Sequence, residues 1–290
     1  MSYPEPLREQ VEDYLEGLQF SHEPATHGLE EAMRYSLLAG GKRIRPVLAL
    51  ATASGLGHPP AEVLPLAAAL ELIHTYSLIH DDLPAMDDDG LRRGRPTCHV
   101  KFGEDVAILA GDGLYAEAFR HVLGHQAGEP ARVLAAAVEL AGATGVNGMV
   151  GGQYIDVRNL VPEGEVTLRD LHQLKTGRLI RASVECVLLL TSGPHASTRL
   201  PDFRDFATEL GLLFQIVDDI LDVTGTEDAL GKPQGSDERH GKLTYVSHYG
   251  IDGARQMAAD SHGNARLALE RAGGAAELQQ ITDFIYTRSS

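Results

Sequence analysis

Apolar residues recur at intervals of three and four along most of this 290-residue chain. That spacing restricts it to helices more firmly than any other feature. In AEVLPLAAALELIHTYSLIH, residues 61–80, the set Leu66, Ala69, Leu70, Ile73, Ser77 and His80 falls on one helical side. The stretches 104–124, 131–150, 167–191, 203–223 and 252–271 repeat the pattern, most of them broken by Gly, Pro or Asn clusters. Period-2 alternation is scarce. The pattern predicts an all-α protein of about ten or more helices. No solenoid-type period and no Pro- or Ser-rich linker divides the chain, so residues 1–290 read as a single domain. The longest Gly- and Pro-rich polar stretch, 225–242, is read as a functional loop.

Charge narrows the function. Lys and Arg number 25 and Asp and Glu 41, a formal charge of −16. That balance argues against nucleic acid or anionic lipid as partner. Two cysteines, Cys98 and Cys186, cannot build a disulfide framework. The N-terminus carries no secretory h-region, and no run approaches the roughly 18 apolar residues of a membrane span. A soluble cytoplasmic protein, not an integral membrane one, is expected.

The acidity is concentrated. HDDLPAMDDDGLRRGRP, residues 80–96, crowds Asp81, Asp82, Asp87, Asp88 and Asp89 together. Asp81 and Asp82 close an apolar helix, where the macrodipole disfavours negative charge. Pro84 breaks that helix, so Asp87 can fold back toward Asp81. A solvated acidic helix end is the plain alternative, but carboxylates this crowded repel unless a cation joins them. FQIVDDILDV, residues 214–223, puts Asp218 and Asp222 at i and i+4 on an apolar helix, with Asp219 beside them. Hard carboxylate oxygens suit Mg²⁺, which also takes substrate phosphates. Basic groups complement them: Lys42, Arg43 and Arg45 in GGKRIRP, Arg92, Arg93 and Arg95 in LRRGRP, Lys175 in KTGR, and Lys232 in LGKP. His74 lies seven residues before Asp81, on nearly the same face. Gln153 and Asp156 share a face but signal little alone, and Asp112 reads as structural.

With GGKRIRP, DDLPAMD followed by RRGRPT, GQYID, KTG and FQIVDDILD in order, the chain resembles the trans-polyprenyl diphosphate synthases, and most closely bacterial farnesyl diphosphate synthases. The resemblance implies an isoprenoid-synthase fold, helices around a central cavity, and a homodimer. It implies condensation of isopentenyl diphosphate with an allylic diphosphate, releasing pyrophosphate. By motif position, Asp81, Asp87 and Asp218 correspond to direct Mg²⁺ ligands, with Asp88 a rival for Asp87. Asp82, Asp219 and Asp222 correspond to support or water-mediated contacts, for several ions, about three per site. Arg92, Lys175 and Lys232 correspond to contacts with the allylic diphosphate. Lys42, Arg45, His74 and Arg93 correspond to the isopentenyl diphosphate site, and Thr176 and Gln215 to carbocation stabilisers.

Ionising a C–O bond needs charge stabilisation on the departing pyrophosphate, and the cation then needs a dry wall. The 225–242 loop, carrying Lys232, reads as a lid. Ser77 lies one turn, roughly 6 Å, below Asp81, with Tyr76 beside it. An aromatic there, with the Pro84-Ala85 insertion, is the pattern of farnesyl synthases and implies a C15 product. A geranylgeranyl diphosphate synthase is the alternative within the class. A metal-dependent phosphohydrolase is the alternative outside it, prompted by His74 and the His80-Asp81 pair. A terpene cyclase and a non-catalytic subunit fit less well, because both aspartate motifs are intact.

Overall fold

A computed structural model describes residues 3–161, 167–191, 196–225 and 242–288. Among them are eleven α-helices of nine residues or more, and almost no strand. The one hairpin pairs β1 (Leu91–Arg92) with β2 (Arg95–Pro96). Its two-residue turn has both φ angles positive, 54° at Arg93 and 71° at Gly94. That conformation matches strand twist and favours glycine. Sequence periodicity missed it because two-residue strands have no period to show.

The centre is α4 (Leu64–Asp81), apolar on nearly every side and buried accordingly, with Leu66, Leu70, Leu72 and Ile73 fully covered. It packs on α3 (Ile44–Gly55) and α6 (Glu104–His125). α1 (Glu5–Glu16) and α2 (His27–Leu37) close one side. The short α5 (Cys98–Phe102) leads into α6. On the other side α10 (Arg178–Leu190) joins α7 (Pro130–Thr144) to α11 (Ala196–Thr224). α11 lies along α12 (Tyr245–Arg271), which is kinked at Gly250, and α13 (Ala276–Thr287) finishes the bundle.

Two expected helices are interrupted. The 131–150 stretch splits into α7 and α8 (Met149–Val157) because the intervening glycines are backbone-packed. A Cβ on Gly148 would sit 2.1 Å from the Ala143 carbonyl oxygen. The 167–191 stretch holds α9 (Leu168–His172), started by a Thr167–Asp170 capping box, then a π turn over Gln173–Gly177 before α10. Contrary to the sequence expectation, two helical stretches, Pro60–Asp81 and Pro130–Val157, are long and apolar enough by composition to cross a membrane. The first is α4 with its lead-in, whose apolarity serves the core. The second keeps an apolar face exposed at Leu134, Val138 and Val146.

Arg43 belongs to this core rather than to any site. Its buried guanidinium donates to Glu71 at 2.7 Å, to Glu12 at 3.0 Å and to the Leu37 carbonyl at 2.7 Å. Arg43→Met would leave the buried Glu71 carboxylate without that partner. We expect a loss of about 3–5 kcal/mol, read as a lower urea midpoint with unchanged m-value.

Candidate active site

The ends of these helices surround a cavity of about 640 Å³. Its residues come from α3, α4 and the turn after it, the β1–β2 hairpin, α8, α9, the π turn, α11 and the segment 242–244.

Asp81, the last residue of α4, lines it. The chain then turns through Pro84, and the Asp87 N–H donates back to the Asp81 carbonyl at 2.9 Å. Asp88 adopts a left-handed φ of 52° and is exposed. The turn therefore returns Asp87, not Asp88, to Asp81. Burial pushes the Asp81 carboxyl up to about 6; the Asp87 charge adds to this and Lys175 opposes it. Asp82 is buried and does not line the cavity. The Arg92 guanidinium grips it, Nε reaching both carboxylate oxygens at 2.7 and 2.9 Å, which fixes Arg92 where it does line the cavity.

On α11, Asp218 lines the cavity, whereas Asp222, a turn further, is buried outside its lining. Asp219 is an organiser. It accepts from Gln215 Nε2 at 2.8 Å and from the Tyr245 N–H at 2.7 Å. The Thr176 hydroxyl donates to Gln215 Oε1 at 3.0 Å. This chain holds the Thr176 and Gln215 oxygens together, anchored at the start of α12.

Lys175, carried by the π turn, reaches Asp156 Oδ2 at 2.6 Å. The approach depends on Gly152, whose added Cβ would lie 2.3 Å from the Lys175 backbone nitrogen. Lys242 meets Asp87 Oδ2 at 2.8 Å and Asp156 Oδ2 at 3.9 Å. Sequence reasoning did not assign Asp156 or Lys242. The Asp156 spacing was visible but unspecific. Lys242 was hidden at the end of the polar 225–242 stretch. Lys232 and most of that stretch lie outside the described residues.

A second, basic end gathers Arg45, Arg93 and His74 along the same cavity. Arg45 Nε is buried without a hydrogen-bond partner. Burial lowers Arg45 to about 10, and Arg93 is lowered by burial as well. Burial, with Arg45 and Arg93 nearby, drives His74 well below its ordinary value and leaves it neutral. Arg93 donates to the Gly40 carbonyl and lies so close to Gly41 that a Cβ there would be 2.9 Å from its guanidinium carbon. Cations crowded this way, at a cost in desolvation, are chemically suited to a polyanion. Lys42 is exposed and does not line the cavity; its ammonium lies 5.2 Å from the Phe284 ring centroid.

Between the charged ends the wall is apolar, with Met149, Val150, Val157 and Phe214. Tyr76 and Ser77 line it one turn below Asp81. Tyr76 is held edge-on by Tyr115 at 5.0 Å and His80 at 5.7 Å. His80 itself sits over Gly111, where a Cβ would come within 2.2 Å of Nε2.

Among the described residues no three acidic or imidazole side chains already form a closed metal cage. The donor set nevertheless fits a hard divalent ion. Asp81 is a crowded carboxylate with a raised pKa, and lysine ammonium groups stand as counter-ions on Asp87 and Asp156. An open set of carboxylates suits Mg²⁺, which keeps waters and completes its shell with phosphate oxygens.

Comparison with known proteins agrees with this geometry. The chain matches the polyprenyl synthetase family over residues 26–281. It is 48% identical to a farnesyl diphosphate synthase of Geobacillus stearothermophilus over 237 residues, 80% of this chain and 78% of that one. It is 45% identical to a chloroplastic geranylgeranyl pyrophosphate synthase of Capsicum annuum over 270 residues, 91% of this chain and 72% of that one. The fold matches a Helicobacter pylori geranyltransferase solved with magnesium and isoprenyl diphosphate, with a TM-score of 0.82 and 30% identity. That match covers 99% of this chain and 97% of the other. These matches replace the phosphohydrolase alternative: the chain belongs to the polyprenyl synthetase family and is a trans-prenyltransferase.

Proposed function

We propose that the enzyme condenses isopentenyl diphosphate with dimethylallyl and then geranyl diphosphate, giving (E,E)-farnesyl diphosphate and pyrophosphate. The observation that carries the C15 product is Tyr76, fixed by two rings on the cavity wall one helical turn below Asp81. A growing chain that enters past the aspartates meets that ring. The relatives include both farnesyl and geranylgeranyl synthases, so product length rests on this wall.

Asp81, Asp87 and Asp218 would hold Mg²⁺, with Asp82, Asp219 and Asp222 supporting the clusters. Bound there, the ions would supply charge stabilisation to the allylic diphosphate as its C–O bond ionises. Arg92, oriented by Asp82, and Lys175 grip that diphosphate, with Lys232 assigned alongside them by its motif. Arg45, Arg93 and neutral His74 orient isopentenyl diphosphate, with Lys42 assigned alongside them by its motif alone. Thr176 and Gln215 present oxygens to the allylic cation, and Phe214 and its apolar neighbours exclude water that would quench it. The departing pyrophosphate takes the proton lost when the new double bond forms, so no protein base is needed.

The continuous core supports reading the chain as one domain. The exposed apolar residues Ile108, Leu109 and Leu123 on α6, with Leu134 and Val138 on α7, support a homodimer through that face.

Four experiments test these assignments. Incubation with isopentenyl diphosphate and each of the C5, C10 and C15 allylic diphosphates should stop at C15. Tyr76→Ala should shift the main product to C20 or longer on chromatography, and an unchanged C15 product would sink the assignment. Asp81→Asn should cut kcat/KM by about 10²–10³-fold yet stabilise the metal-free protein. A carboxyl raised from 3.8 to about 6 costs stability once ionised. The gain should therefore be full above pH 6, about 2–4 °C in Tm, and fade toward pH 4. Val138→Glu should convert a dimer to a monomer by light scattering; a wild-type monomer would end the homodimer reading.

A further inference from the structure

Lys242 sits on a short tether. Three residues later α12 begins with a capping box, Thr244 and Ser247 bonding each other's N–H groups. The Tyr245 N–H is held by Asp219 in the second aspartate motif. On the near side of that anchor, the Lys242 ammonium lies 2.8 Å from Asp87 and 3.9 Å from Asp156, in a half-buried position. Asp87 is in turn bonded through its backbone to Asp81. One segment of a few residues thus ties the first aspartate motif to the second.

Resting on the metal reading of Asp81 and Asp87, we infer that Lys242 is a resident counter-cation that holds the first motif until diphosphate arrives and then transfers to the diphosphate. An ammonium on Asp87 competes with any divalent ion for the same oxygen. With no diphosphate present, a metal that displaces it costs Lys242 its 2.8 Å contact with Asp87, and the nearby Asp156 is already engaged by Lys175 at 2.6 Å. When diphosphate is present, Lys242 has a stronger anion within reach, and the aspartate is released to the metal. Metal and diphosphate binding become linked, each raising the affinity of the other. The device keeps the crowded carboxylates compensated in the empty enzyme and discourages metal binding in the absence of substrate.

The test measures Mn²⁺ binding by electron paramagnetic resonance to the full-length wild type, Lys242→Met and Lys242→Gln, with and without inorganic pyrophosphate. Without pyrophosphate, both variants should bind Mn²⁺ about tenfold more tightly than wild type, since a like charge next to the site has gone. The enhancement of Mn²⁺ affinity by pyrophosphate should shrink by a similar factor. Circular dichroism establishes that each variant is folded, and the polar, uncharged Gln variant serves if Met disturbs the segment. Unchanged or weaker Mn²⁺ affinity in the folded variants overturns the inference and leaves the metal reading standing. If Asp81→Asn retains full Mn²⁺ affinity with pyrophosphate, the metal reading itself falls, and this inference with it.

Discussion

Everything about the cavity follows from carboxylates placed where the fold cannot neutralise them by itself. Asp81 ends an apolar helix packed into the core, and the turn after it brings a second carboxylate back alongside. Helix-end geometry makes negative charge unwelcome at that terminus. The surrounding structure is arranged to tolerate the cost. Arg92 clamps Asp82 away from the opening, and lysines stand on Asp87 and Asp156. A site held in electrostatic tension is prepared for a dication and a polyanion to enter together.

The opposite imbalance occurs along the same cavity. Arg45 and Arg93 crowd like charge beside neutral His74, with no carboxylate in ion-pair contact among the described residues, and burial lowers all three. One cavity therefore has an acidic end and a basic end, with an apolar wall between them. Under the proposed function, two diphosphates of equal charge would be sorted by this difference: one where cations are built in, the other where metal could bridge it to carboxylates. A net charge of −16 describes the outside of this protein and says little about what it binds.

Much of this was legible in the residues. The helical period located α4, α6 and α11, and the aspartate doublets at the end of α4 and along α11 include Asp81, Asp218 and Asp219, which line the cavity. Crowding and Pro84 anticipated that Asp87 folds back to Asp81, and the structure closes that turn through the Asp87 N–H, with Lys242 as a cation on Asp87. What could not be read were contacts closed by distant backbone. Asp219 looks like its neighbour Asp218 in sequence and lines the same cavity, yet its Oδ2 also accepts from the Tyr245 N–H, a distinction that depends on where α12 docks. Lys42 and Arg45 share one motif, but Lys42 leaves for Phe284 while Arg45 turns inward. The π turn also escaped periodicity, because five residues are too few to register a change of pitch.

That π turn has a genetic consequence. It accommodates one residue more than an α-helical turn of the same span, and the register of everything after it depends on that surplus. Lys175 and Thr176 lie within it, while Gly177 closes it against Gly211 of α11. A deletion of one residue here would restore an ordinary helix and rotate the side chains on one side of it by about 100°. Such a helix could still pack acceptably while presenting its lysine to the wrong neighbour. Elsewhere in a helical bundle, length changes are absorbed in connecting loops. In this segment the count of residues itself sets how Lys175 and Thr176 meet the cavity, so a change of length is far less forgivable than a change of side chain.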